Sequence, residues 1–161
     1  MARASRANSE KPDRLLAADC VRMPTEHQQY STRNQTQTIR DCAWRHGIRI
    51  VRTYSDGAKS GLVIGGRMAL QQMIADVDSG VAEFSAILVY DVPRWGRFQD
   101  IDESAYDEYR CRKAGMQVAY CAELFENDGS PTSTIVKSVK RAMASEYSRE
   151  LSVKVSRANA A

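Results

Sequence analysis

Residues that bind metals are scarce in this chain. It has four cysteines, at positions 20, 42, 111 and 121, and two histidines, His27 and His46. None of them falls at the paired spacing of a zinc site, so no metal centre is expected. The cysteines also lack a close pair that would outline a disulfide framework, and they read as reduced thiols of a cytoplasmic protein. No apolar stretch approaches the ~20 residues that a membrane span needs. The start of the chain, Met1 to Glu10, has no apolar signal core, and residues 1–14 read as a disordered tail. Gly65-Gly66 matches a phosphate-cradling turn only loosely and lacks the fingerprint of a nucleotide site, so no cofactor is expected.

What is present suits one domain. A chain of 161 residues, 43% of them hydrophobic, buries a core without staples. The net charge is only +3, but it is unevenly placed. From Lys137 onward, Lys137, Lys140, Arg141, Arg149, Lys154 and Arg157 face only Glu146 and Glu150. A local surplus of this kind suits a polyanion, although a solvated helix face accounts for it nearly as well.

Apolar runs alternate with segments of helical period. Leu15 to Val21, Ile48 to Tyr54, Phe84 to Tyr90 and Met116 to Cys121 read as buried strands. Between them the pattern predicts helices over Asn34 to His46, Met68 to Val77 and Asp102 to Ala114. In the first, Ile39, Ala43 and Trp44 share a face, and Gly47 stops the helix. Pro24 to Thr32 reads as a polar loop. Ser55 to Arg67 holds four of the nine glycines and reads as a mobile or tightly turned loop. A long helix runs from about residue 132 to 157, with Ile135, Val139, Met143, Tyr147 and Leu151 as an apolar stripe for core and dimer contact. The alternation predicts a three-layer α/β domain over residues 15–157, with a mostly parallel central sheet of four to five strands.

Three arginines stand where buried runs end: Arg22 after the first, and Arg94 and Arg97 after the third. Ligands of open α/β sheets bind at the carboxyl ends of strands, and guanidinium groups converging there suit a phosphate gripped bidentately. The alternative is surface ion pairing with neighbours such as Asp91. Trp95, between Arg94 and Arg97, either stacks on one of them or plugs the sheet end. His27 reads first as a polar loop residue.

Four ordered blocks carry a resemblance: Val21-Arg22-Met23-Pro24-Thr25-Glu26-His27-Gln28; Tyr54 to Gly61 with Arg67; Ile87 to Arg97; and Ala144 to Leu151. Together they resemble the catalytic domain of the serine recombinases, the resolvase/invertase family, over about Leu16 to Val155. The resemblance implies a serine hydroxyl that attacks a DNA phosphodiester in line, leaving a 5′-phosphoseryl link and a free 3′-hydroxyl. It implies cleavage by a tetramer, no metal, and arginines that carry the charge developing on the phosphoryl oxygens. By position, Arg22, Arg67, Arg94 and Arg97 would form that cluster, with Gln35, Asp56 and Ser60 as supporting polar groups. On the long helix, Met143, Glu146, Tyr147 and Leu151 would meet a partner subunit. Lys137, Lys140, Arg141, Arg149 and Lys154 would contact phosphates as the helix crosses the minor groove.

Three positions depart from the family pattern. Pro24 stands where the attacking serine belongs, and proline supplies neither a hydroxyl nor an N–H. Pro93 replaces a serine or aspartate, and Cys20 replaces a common tyrosine. Thr25 and Ser31 are the neighbouring hydroxyls, the first on the opposite side of a strand end and the second in a loop. No DNA-binding module follows the long helix, so any DNA affinity is expected to be salt-sensitive and indifferent to sequence. The expectation is an inactive, truncated recombinase domain of the bacterial cytoplasm, nucleoid-associated when bound to DNA, that forms a homodimer or tetramer. The alternative is a regulatory protein that pairs with an intact recombinase. A working enzyme using another hydroxyl and a phosphoester-binding protein for free nucleotides are further readings.

Overall fold

A computed structural model describes residues 14–22, 29–56, 67–95 and 101–160; within the helices, the side chains of residues 29–32, 101, 144, 145, 147–149, 151 and 152 are outside that description. Four strands, β1 (Leu16–Arg22), β2 (Arg49–Asp56), β3 (Ala86–Val89) and β4 (Gln117–Tyr120), alternate with four helices, α1 (Gln29–Arg45), α2 (Met68–Asp78), α3 (Ile101–Lys113) and α4 (Pro131–Asn159). A 3-10 turn, Val92–Arg94, follows β3. The strands form one sheet in the order β2-β1-β3-β4. Every pairing is parallel, with Arg22 opposite Asp56 and Cys20 opposite Val89.

Side chains alternate across a strand, and this sorts the core into two clusters. Ala17, Val21, Ala86 and Leu88 meet Ile39 and Ala43 of α1 on one face. Ala18, Cys20, Ile87 and Val89 meet Leu70, Met73, Ile74 and Val77 of α2 and Cys111 of α3 on the other. The result is the expected three-layer α/β architecture, with four strands among the described residues. Parallel strands need crossovers, and the helices that supply them bury both faces of the sheet. No helix among the described residues is long and apolar enough to cross a membrane.

The strand order sets where a site can form. From β1 the chain proceeds to β2 on one side, and β3 pairs with β1 on the other. The chain therefore departs in opposite directions at the carboxyl ends of β1 and β3, the position where open α/β sheets leave a crevice.

Several boundaries differ from the sequence reading. Helix α1 begins at Gln29, so Ser31 lies in a helix and not in a loop. The segment Gln29 to Thr32 is polar throughout and has no apolar period to mark the helix start. Trp44 is 84% exposed, while Ile39, Cys42 and Ala43 are buried. The wide spacing of Trp44 from Ile39 turns the indole past the edge of the buried stripe. β2 continues to Asp56, two residues beyond the apolar run. α4 begins at Pro131, whose fixed φ suits a first helical position, with the Ser130 hydroxyl accepting from Ser133 N–H at 3.2 Å. Its stripe is reversed: Ile135, Val139 and Met143 are 64%, 52% and 66% exposed, and Ser133, Lys137 and Arg141 are buried.

Ile87 sits wholly buried in an inner strand, packed between β1 and β4. Ile87→Ala is expected to lower the unfolding free energy by about 2–5 kcal/mol, read from urea denaturation. A loss below about 1 kcal/mol would contradict this core assignment.

Candidate functional site

The site is built from strand ends inward. Asp56 closes β2 directly opposite Arg22, the last residue of β1. Its carboxylate is buried and holds two things at once. Oδ2 accepts from Arg67 Nε at 2.9 Å, and the two oxygens accept from the backbone N–H groups of Ala69 at 2.8 Å and Leu70 at 3.4 Å. Helix α2 has no side-chain cap of its own at Arg67, so Asp56 satisfies its first donors from outside and lies at its positive end.

Arg67 is also buried and links three strand ends. Beyond Asp56 of β2, its NH1 donates to the Arg94 carbonyl at 3.0 Å, and its NH2 lies 3.9 Å from Cys20 Sγ in β1. Burial pushes the Cys20 thiol up to about 11, so it is a neutral thiol beside this guanidinium at neutral pH.

Arg94 enters from the other side of the crevice. The Asp91 carboxylate caps the turn that presents it, accepting from Arg94 N–H at 3.0 Å. The Arg94 guanidinium is 3.8 Å from the same carboxylate and lies over the Tyr90 ring at 5.5 Å. Burial raises the Asp91 carboxyl above its ordinary value, and Arg94 partly offsets this. Glu123, after β4, accepts from Val92 N–H at 3.2 Å and pairs with Lys140 at 2.5 Å, tying the turn to α4. Trp95 is buried with its indole N–H on the Ser104 carbonyl at 2.9 Å, so it plugs the sheet end.

Arg22 is half-buried between these groups, and Gln35 of α1 donates to its carbonyl at 3.1 Å. Its guanidinium is held well below its usual value, to about 10. Burial is the main cause, the positive charges of Arg67 and Arg94 add to it, and Asp56 opposes it. Three guanidinium groups thus lie close enough at the strand ends to act on one another, with the Asp56 carboxylate opposing their effect on Arg22. An anion with several oxygens would relieve that repulsion, and a phosphodiester has the charge and the geometry.

Of the expected residues, Arg22, Gln35, Asp56, Arg67 and Arg94 come together at the carboxyl ends of β1, β2 and β3. Pro24, His27, Ser60 and Arg97 lie outside the described residues. On α4, Glu146 and Lys154 are exposed, and the side chains of Tyr147, Arg149 and Leu151 are not described. Lys137 and Arg141 were expected to face phosphates, but the structure places them elsewhere. Both are buried against Glu108 of α3, at 2.6 and 2.5 Å, because their face of α4 is the one turned toward the domain. The sequence reading missed Glu108 and Glu123. The second carried a signal, a carboxylate just past the end of a strand.

A parallel α/β sheet thus gathers one buried arginine, Arg67, and two half-buried ones, Arg22 and Arg94, where its strand order reverses. The family model for the resolvase N-terminal domain matches residues 17–161, and the chain belongs to that family. It is similar to a resolvase family site-specific recombinase from Streptococcus pneumoniae, at 21% identity and a TM-score of 0.65 over 91% of this chain and 99% of that one. It is also similar to the N-terminal catalytic domain of TP901-1 integrase, at 23% identity and a TM-score of 0.60 over 85% and 98%. A third likeness is to the C-terminal catalytic domain of ISC1926 TnpA, an IS607-like serine recombinase, at 15% identity and a TM-score of 0.55 over 80% and 98%. At these identities the solved structures establish the fold alone. No curated protein matches the chain.

Asp56 is the group on which the Arg67 position depends. Asp56→Ala is expected to destabilise the domain by about 3–5 kcal/mol in urea denaturation, since it strips a buried cation of its carboxylate. The amides of Ala69 and Leu70 should exchange faster in the same variant. A loss under about 1 kcal/mol with unchanged exchange would contradict the role given to this carboxylate.

Proposed function

We propose that this chain is a serine-recombinase catalytic domain that holds the DNA phosphodiester but does not cut it. One observation carries the reading: Arg22, Arg67 and Arg94 share a crevice at the sheet's reversal point, close enough that the other two charges help to depress Arg22. The family's chemistry needs charge of that kind on the phosphoryl oxygens as a serine oxygen bonds to phosphorus and the bond to the 3′-oxygen breaks. Here Arg22 is followed two residues later by Pro24. With no hydroxyl there to bond to phosphorus, the arginines have a ligand to bind and no reaction to accelerate.

On this reading the chain binds the DNA backbone through its cations. Of the α4 cations named for phosphate contact, Lys154 is exposed, while Lys140 is half-buried and paired with Glu123. Arg149 belongs to the same proposed set. Self-association would use the outer face of α4, where Ile135, Val139 and Met143 are exposed, continuing through Glu146, Tyr147 and Leu151. An exposed apolar row of this length on a charged helix suits a helix of a second copy. Asp56 and Gln35 act as positioning residues, the first through Arg67 and the second through the backbone of Arg22. Ser60 and Arg97 complete the set by position in the family pattern.

The test restores the missing atom. Pro24→Ser, alone and with Pro93→Ser, would be fused to a relative's DNA-binding module and assayed beside the equally fused parent. Covalent phosphoseryl adducts on that module's site would be trapped by denaturation. Adducts are expected in a repaired form and absent from the parent. Adducts formed by the parent would overturn the loss of cleavage, and their absence from every form would overturn the assignment of an intact phosphate centre.

A further inference from the structure

Helix α4 docks on its own domain by the wrong face for an amphipathic helix. A surface helix normally buries its apolar stripe and presents its charges to water. Here Ser133, Lys137 and Arg141, four residues apart, turn inward, while Ile135, Val139 and Met143 turn outward. Apolar burial is thus not what holds these turns of α4 against α3. What meets the two inward cations is a single carboxylate, Glu108, itself 2% exposed.

The Glu108 carboxylate is fully engaged. Oε1 accepts from Lys137 Nζ at 2.6 Å and from Asn127 Nδ2 at 2.8 Å; Oε2 accepts from the Tyr120 hydroxyl at 2.9 Å and from Arg141 NH2 at 2.5 Å. Arg112, one turn on in α3, adds a third cation at 3.9 Å. Asn127 donates also to the Val118 carbonyl at 2.9 Å, so the segment leading into α4 is bound to β4 through the same cluster. Each element packed here, α3, β4, the segment before α4 and α4 itself, sends one polar group or more to this one side chain.

We propose that Glu108 is a buried electrostatic latch: among the described residues it is the carboxylate that neutralises the inward cations of α4, and its loss or protonation releases this helix from the domain while the sheet stays folded. The proposal concerns the intramolecular docking of α4 and does not rest on the DNA reading.

The physics is asymmetric. A buried ion pair that loses one partner leaves an uncompensated charge, which is far more costly than an apolar substitute for the whole group. Without Glu108, two buried cations one turn apart on α4 are left without their carboxylate, and hydration of both is available if α4 swings away. A released α4 segment has lost its packing and frays, since isolated helices are marginal in water. The latch is also directional in pH. Burial pushes the Glu108 carboxyl up, but the hydrogen bonds from Lys137 and Asn127 and the charges of Lys137 and Arg141 outweigh it, leaving the group below its ordinary value. A depressed carboxyl contributes its stability in full above the ordinary glutamate range, and that stability fades as the pH falls through the lower folded value. Release is therefore expected only as the pH falls below the ordinary glutamate range. The charged and titratable groups facing Glu108 are Lys137 and Arg141 from α4, Arg112 from α3 and Tyr120 from β4.

Hydrogen–deuterium exchange on the full chain tests this, reading protection in residues 131–141 against protection in β1 and β3. In Glu108→Gln, protection of 131–141 should fall by at least about tenfold at neutral pH, with the strands unchanged. The compensated variant Glu108→Leu/Lys137→Met/Arg141→Met removes the charges together and keeps the volume, so it should restore protection. In the parent, acid should release 131–141 before the strands; in the compensated variant, both should be lost at the same pH. Unchanged protection in Glu108→Gln would overturn the proposal. Should Glu108→Gln fail to fold, the acid series decides. Simultaneous loss of 131–141 and the strands in the parent, or early acid release in the compensated variant, would overturn it.

Discussion

The buried pair between Arg67 and Asp56 is the constraint around which the site is arranged. One carboxylate caps α2, fixes the Arg67 guanidinium and lies at the same rung as Arg22. Arg67 in turn holds the Arg94 carbonyl, and so the turn after β3. A charge buried to this degree persists only with a partner and hydrogen bonds, so its geometry is set by the fold and not by solvent. The crevice is preorganised as a result: the arginines are held by contacts made before any anion arrives, and the mutual repulsion of three guanidinium groups is already part of the folded state.

A second electrostatic centre works between α3 and α4. Around Glu108 two cations of one helix converge on a single carboxylate, while at the carboxyl ends of the strands three guanidinium groups lie close enough to act on one another. The same residue types therefore serve opposite ends. The distinction lies in burial and partner geometry, which decide which elements an arginine holds together. Glu123 joins the two regions, since it accepts from the turn that carries Arg94 and pairs with Lys140 of α4.

Much of the fold is legible in the sequence because its signals are local. Buried parallel strands read as short apolar runs, and α2 is marked within a residue by Leu70, Met73, Ile74 and Val77. Arg22 and Arg94 are legible as site residues because each follows such a run, and the resemblance adds Gln35, Asp56 and Arg67. The misses share a cause. Periodicity shows which residues of a helix share a face, but not which face turns inward when a buried carboxylate competes with an apolar stripe. That is why Ile135, Val139 and Met143 read as a stripe shared between core and dimer contact, and Lys137 and Arg141 as phosphate-facing, until the fold is seen. Glu108, an acid among the charged residues of α3, has no local mark; its meaning comes from α4, β4 and Asn127.

The central claim is that Arg22 and Arg94 bind a DNA phosphate. It is tested most directly by titrating a short duplex of arbitrary sequence against the parent, Arg22→Gln and Arg94→Gln over a range of salt concentrations. The account predicts weaker binding in each variant, with the slope of log affinity against log salt reduced by about 0.9 for each phosphate that the variant no longer neutralises. Affinities and slopes indistinguishable from the parent in both variants would contradict it.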